Sequence, residues 1–186
     1  TFDDQVELKA SQKSFQRNET SDFKVLVNVW DAYASSIDPR QYCRKKGLNY
    51  NALREIGEAR EQFCVLLRDI GLLSKERGLL GIKDDTWSIV HAILNATLYP
   101  FVASISERQG KEPFIADKQE TLTIHATSVN KSLRTKLPSR WLVFHDKLAT
   151  SSRVSISTSG FVSSFALLLF GPSLKIHFES RRASID

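Results

Sequence analysis

The hydrophobic period of this chain changes once, near Gly110, and that change limits the folds open to it. Up to residue 107 the apolar residues recur at spacings of three and four; beyond Gly110 they recur at two. A period near 3.6 buries one face of a helix and a period of two buries one face of a strand. The chain therefore reads as a helical segment, residues 1–110, followed by a β segment, residues 111–186. The expected fold class is α+β.

In the helical segment Phe23, Leu26, Val27, Trp30, Tyr33 and Ala34 share one stripe, with Ser21 and Asp22 where an N-cap belongs. A second stripe holds Leu53, Ile56, Phe63, Leu67 and Ile70, with Asn49 to cap its start and Gly71 to help end it. A third helix is expected from about Asp85 through Ile89, Ile93, Ala96 and Leu98, until Pro100 disturbs it. A weaker helix is expected over residues 4–16, carrying Val6, Leu8 and Phe15. These stripes are expected to form core.

In the β segment "ETLTIHATSVN" sets Leu122 and Ile124 against Thr121, Thr123 and His125, the pattern of a half-buried strand. "RWLVFHDKLA", "RVSIST", "SSFALLLFG", "LKIHF" and "ASID" follow. In "SSFALLLFG", Ser163 and Ser164 suit a helix cap and Gly171-Pro172 a stop. The expected order is three strands, a short helix, a strand and a last strand cut short. That order is the OB fold's, a five-stranded, partly open barrel that binds oligonucleotides on one face and its loops.

Charge is unevenly spread. Of 26 Lys and Arg and 21 Asp and Glu, residues 120–186 hold nine cations and four anions, which leaves seventeen of each in residues 1–119. The whole net charge of +5 thus lies in the last third, and a polyanion is its natural partner. No apolar run approaches the ~20 residues that cross a bilayer, and no signal-peptide pattern opens the chain. We read it as intracellular, cytoplasmic rather than nuclear, with no membrane partner. Cys43 and Cys64 lack CxxC or Cys/His metal spacing and are expected reduced and buried, with no metal site. The chain starts at Thr1 and contains no Met, so it reads as a piece of a longer protein.

Six segments in register resemble the C-terminal region of DEAH/RHA-type RNA helicases, the DExH enzymes that move along RNA using ATP. They are "SDFKVLVNVWDAY" (21–33), "YCRKKGLNYNALREIGEAREQFCVLLRDIGLL" (42–73), "AILNATLYPFVASI" (92–105), "IHATSVN" (124–130), "PSRWLVFHDKLATSSRV" (138–154) and "VSSFALLLFG" (162–171). The "LLRDIGLL" ending is closer to the RHA-related branch. The resemblance implies that the helical segment is the end of a ratchet-like domain and the β segment an auxiliary OB fold. It also implies helicase core domains elsewhere in the same chain, and ATP and Mg as cofactors of the parent enzyme. This piece lacks the GxxxxGK[ST] phosphate loop, Gly110-Lys111-Glu112 having neither the first glycine nor the hydroxyl, and lacks an Asp-Glu-x-His box. It is expected to carry no catalytic residues and no cofactor of its own. Where the family writes His-Pro-Ser-Ser-Val-Asn, this chain has Ala126 and Thr127 after His125. Ser164-Phe165 replaces Pro-Tyr, and Gly171-Pro172 replaces Gly-Gly.

A single strand is held by cations on phosphates, small donors on phosphate or sugar oxygens, and flat groups against bases. His125, Thr127, Ser128 and Asn130 offer donors and a ring where the first strand ends, and Lys147, Thr150, Ser151 and Arg153 offer the same at the second turn. The resemblance sets these two loops beside each other at the mouth of an RNA channel. Each residue also has an ordinary structural reading: Ser128 and Asn130 satisfying turn backbone, Lys147 and Arg153 as solvated charges, Trp141 and Phe144 as barrel core. Arg44-Lys45-Lys46 is a basic cluster read first as solvated surface. The expected function is to grip single-stranded RNA and couple it to the motor. The alternative is a docking module for an activator protein or the ribosome, with little RNA affinity.

Overall fold

A computed structural model describes residues 13–16, 19–74, 86–106, 114–117, 120–132, 137–151, 153–171, 174–177 and 182–185. They divide into two units, residues 1–18 with 24–82 and residues 19–23 with 83–186.

The first unit takes its helix ends from local capping. Helix α1 (Asp22–Ala34) contributes its body, followed by α2 (Pro39–Lys46) and α3 (Tyr50–Asp69). Asp38 accepts from the Gln41 N–H at 3.0 Å, and Asn49 from the Ala52 N–H at 3.1 Å, each satisfying one free donor of a first turn. Gly47 and Gly71, at φ 63° and 76°, close α2 and follow α3 in the left-handed region that suits glycine. Gly57 lets Trp30 lie against α3, because a Cβ there would stand 3.1 Å from the indole. The Arg60 guanidinium lies 4.8 Å from the same ring's centroid. Cys43 and Cys64 are buried free thiols, and burial pushes the Cys43 pKa up.

The apolar stripe of α3 does not form core as expected. Leu53 is buried, yet Ile56, Phe63 and Ile70 are 48%, 65% and 68% exposed. Periodicity shows that a helix has a face to bury, but not that the surrounding residues supply a surface to cover it. The helix expected over residues 4–16 lies largely outside the described residues.

The second unit is built on a closed barrel of five strands in the order β1-β2-β3-β5-β4. These are β1 (Val102–Ser106), β2 (Phe114–Ala116), β3 (Thr121–Ile124), β4 (Trp141–Ala149) and β5 (Val154–Val162). All neighbours are antiparallel except β3 and β5, which run parallel with Thr123 opposite Ser155 and Ile124 opposite Ile156. Ala103, Ile105, Ile115, Leu122, Ile124, Leu142, Phe144, Ile156 and Phe161 fill the interior. Helix α4 (Trp87–Leu98) and helix α5 (Ser164–Phe170) join a second cluster in which Ala92, Ala166 and Leu167 meet Val143 and Val162 from the strands. Ser163 caps α5 through its oxygen, which accepts from the Ala166 N–H at 3.1 Å.

Five strands and a barrel are therefore present, but their membership differs from the sequence reading. The barrel starts at Val102, inside the stretch read as helical, because Pro100 ends the preceding helical segment and "VASIS" then alternates. β5 completes it at Val162. "LKIH" and "RASI" form β6 (Leu174–His177) and β7 (Arg182–Ile185), which pair with each other and not with the barrel.

Ile156 and Phe161, an odd number of residues apart, both point into the barrel. Strict alternation forbids this, and the phase changes at Thr158, whose φ is 43°. Just beyond, Gly160 meets the segment 21–23: a Cβ there would stand 2.9 Å from Ser21 Oγ and 3.2 Å from both His91 Nε2 and the Phe23 ring. We expect Gly160→Ala to lower stability by about 1–3 kcal/mol through overpacking. Ser21→Ala in the same chain should recover part of that loss, read as paired thermal midpoints.

Candidate nucleic-acid interface

The chain after β3 is shaped by one buried carboxylate. Asp22 Oδ2 accepts from the Ser128 hydroxyl at 2.6 Å and from the Ser159 N–H at 2.8 Å and hydroxyl at 3.3 Å, while Oδ1 accepts from the Val129 N–H at 2.9 Å. Asn130 adds bonds from Nδ2 to the Ser159 oxygens, at 3.0 Å to Oγ and 3.3 Å to the carbonyl. Val129–Ser132 forms a single 3₁₀ turn. Ser128 and Asn130, both among the proposed RNA ligands, are thus buried with their side chains bonded to protein, away from any surface a polynucleotide touches. Beside Asp22, Ser21 bonds within the same unit: its Oγ lies 2.8 Å from His91 Nε2 on α4.

The outer half of the same loop is accessible. His125 is half-buried, Thr127 and Lys131 are exposed, and His125 Nδ1 lies 2.8 Å from Thr127 Oγ1. The sequence reading counted Lys131 in the charge excess without naming it as a contact. On the strand, Thr121 and Thr123 share the outer face with His125, since Leu122 and Ile124 point inward. Across the parallel pairing this face continues onto Ser155 and Ser157 of β5. Neither serine was foreseen.

The second group sits on the β4–β5 hairpin. Its turn is closed by the Thr150 N–H to the Arg153 carbonyl at 2.8 Å, and the Thr150 hydroxyl bonds both the Arg153 carbonyl and N–H. Thr150 therefore braces the turn, and it is exposed together with Ser151 and Arg153. The two loops do not lie side by side as expected. Continuing the β3–β5 register sets His125 beside Ser157 and Thr121 beside Arg153, four residues or about 13 Å apart along β5. They flank opposite ends of one outer face.

Lys147 is directed elsewhere. Its ammonium bonds Asp117 and, at 3.1 Å, Glu120, where β2 turns into β3. Lys147 is 23% and Asp117 11% exposed. The Asp117 hydrogen bond, helped by Glu120, holds the Lys147 pKa above its ordinary value against the opposing effect of burial. A cation so neutralised closes a barrel end and is poorly placed to meet a phosphate. Phe144 is fully buried core, and Trp141 packs against the second cluster. His145 Nδ1 lies 2.9 Å from Asp146 Oδ2 on the exposed surface. Among the described residues no group of three His, Cys, Asp or Glu side chains could hold a metal ion, and no helix is long and apolar enough to cross a membrane.

Residues 90–174 match the family model of the oligonucleotide/oligosaccharide-binding (OB)-fold. The barrel is an OB fold. The chain is also similar, across nearly its whole length, to DExH-type helicases. It is 27% identical over 211 aligned positions to the chloroplastic DExH-box ATP-dependent RNA helicase DExH4 of Arabidopsis thaliana, covering 96% of this chain and 15% of that protein. To the DExH-box ATP-dependent RNA helicase DExH1 of the same plant it is 29% identical, over 90% of this chain and 17% of that protein. To the ATP-dependent DNA/RNA helicase DHX36 of Homo sapiens it is 26% identical, over 95% of this chain and 18% of that protein. The chain spans about one-sixth of the length of these curated relatives. Fold, family model and relatives together support a C-terminal OB-fold region of a DExH helicase.

Replacing Lys147 by Ala should lower stability by about 1.5–3 kcal/mol, since it removes the charged hydrogen bonds to Asp117 and Glu120. The raised pKa fixes the pH dependence: the bond is fully formed below the ordinary lysine value and is lost as pH rises through the higher folded value. The midpoint difference between wild type and Lys147→Ala should therefore be constant at neutral pH and shrink only in strong alkali.

Proposed function

We propose that this chain is the part of an ATP-dependent RNA helicase that grips single-stranded RNA and couples it to the motor core. The observation that carries the reading is the outer face of β3 and β5. On an OB fold, with an exposed hydroxyl at Thr121, cations at its edges and a Thr123 hydroxyl that donates to the Val154 carbonyl at 3.1 Å, it offers polar groups and charge to a sugar–phosphate backbone without reading base edges. Such contacts tolerate sequence, as translocation requires. His125 supplies the flat group, Thr127 and Ser151 supply further small polar groups, and Thr150 braces the hairpin turn beside Arg153. Arg153 and Lys131 supply the charge, while Lys147, Ser128 and Asn130 support the site from inside. The helical part would act as the ratchet-like segment. ATP and Mg would be held by the core domains of the parent enzyme, because this sequence contains no phosphate-binding loop.

A second reading, a docking module for an activator protein or the ribosome, is favoured by one observation. Helix α5 exposes Phe165 and Leu169 at 77% and 75%. Exposed apolar side chains in a cluster mark protein contact sites.

Salt dependence separates the two. With a single-stranded RNA of about 16 nucleotides, Arg153→Ala and Lys131→Ala should each flatten the slope of log K against log salt by roughly 0.7, and Lys147→Ala should leave it unchanged. Salt-insensitive, negligible RNA affinity of the wild type would favour docking instead.

A further inference from the structure

We infer that Asp22 is a positioning residue for RNA binding: its buried carboxylate fixes the loop that presents His125, Thr127 and Lys131. The inference rests on the RNA-binding reading above. Asp22 is itself no ligand, because it is buried and an exposed carboxylate at that place would repel phosphate.

The loop has an inner and an outer half. Ser128 and Asn130 face inward and are buried; Ala126, Thr127 and Lys131 face outward and are exposed. Asp22 holds the inner half at two neighbouring residues, Ser128 and Val129, and with its other bonds holds Ser159 on β5. One carboxylate thereby ties the loop to the barrel wall through bonds to a charged acceptor, the stronger class. From there the position passes outward through the chain itself. The Ser128 N–H donates to the His125 carbonyl at 3.1 Å, the Lys131 N–H to the Ser128 carbonyl at 3.1 Å, and the Thr127 N–H to the His125 ring at 3.3 Å. A shift at Ser128 therefore moves all three outward-facing residues.

The seat of Asp22 is independently fixed. Ser21 bridges Gly160 in a short antiparallel contact, and Gly160 has no room for a side chain against Ser21, His91 and Phe23. The segment 21–23 is thus held on both sides of the carboxylate.

The test is a double-mutant cycle in the whole chain, reading affinity for the same RNA at fixed salt. Asp22→Asn keeps the size but loses the charge, and should weaken binding about tenfold, the loss of one bond to a charged group. His125→Ala should weaken it by a smaller factor. If Asp22 acts through the loop, the double variant binds less weakly than the product of the two losses requires. Ser128→Ala should show the same coupling to His125→Ala, and it carries the test if Asp22→Asn fails to fold by circular dichroism. Multiplicative losses in folded variants, or no loss in either, overturn the positioning role. If the wild type binds and Arg153→Ala still flattens the salt slope, that failure leaves the RNA reading intact; a wild type without RNA affinity overturns both.

Discussion

A buried carboxylate with no cation beside it among the described residues is the constraint on which this structure turns. Removing Asp22 from water is costly, and the cost is offset only if each oxygen is met by donors. Four donors from Ser128, Val129 and Ser159 meet it. The requirement reaches into the covalent structure around it. β5 must turn Ser159 toward the carboxylate, which occurs next to the phase change at Thr158. Gly160 must then admit the chain carrying Asp22, which leaves no space for a Cβ.

The same division of labour, support within and contact without, recurs at the hairpin and the barrel end. Thr150 uses its hydroxyl to close the β4–β5 turn, and Arg153 is left exposed beside it. Lys147 sits three residues earlier and is taken up by Asp117 and Glu120. Neighbouring polar residues thus have opposite fates, decided by which way the backbone directs them. Polar groups held by such bonds need less ordering in any association they enter.

What could be read from the sequence was mainly what is local. Caps at Asn49 and Ser163 join a side chain to an N–H three residues on, so the spacing alone reveals them. The alternation of Leu122 and Ile124 gives the inner face of β3 for the same reason. Pairing is not local. "LKIHF" looks as much a strand as "VASIS", but its partner lies in "RASI" and the barrel's does not. Nor does a cluster of hydroxyls in a turn record which way they face: Ser128 and Thr127 are adjacent, yet one is buried and the other exposed. Counting charge from residue 120 onward included Lys147 but left out Asp117, its stronger partner. The apolar stripe of α3 was correctly seen as a stripe, and its exposure depends on surfaces that a single helix cannot announce.

The bond from Ser159 to Asp22 joins positions 137 residues apart. Loop-closure entropy grows only slowly with such a span, so the bond is not prohibited by its sequence separation, but it depends on the strands that bring the two positions together. β5 must already lie between β3 and β4 before the carboxylate meets its last donors. Without that pairing Ser159 cannot reach Asp22, and the carboxylate loses the two donors that β5 brings to it.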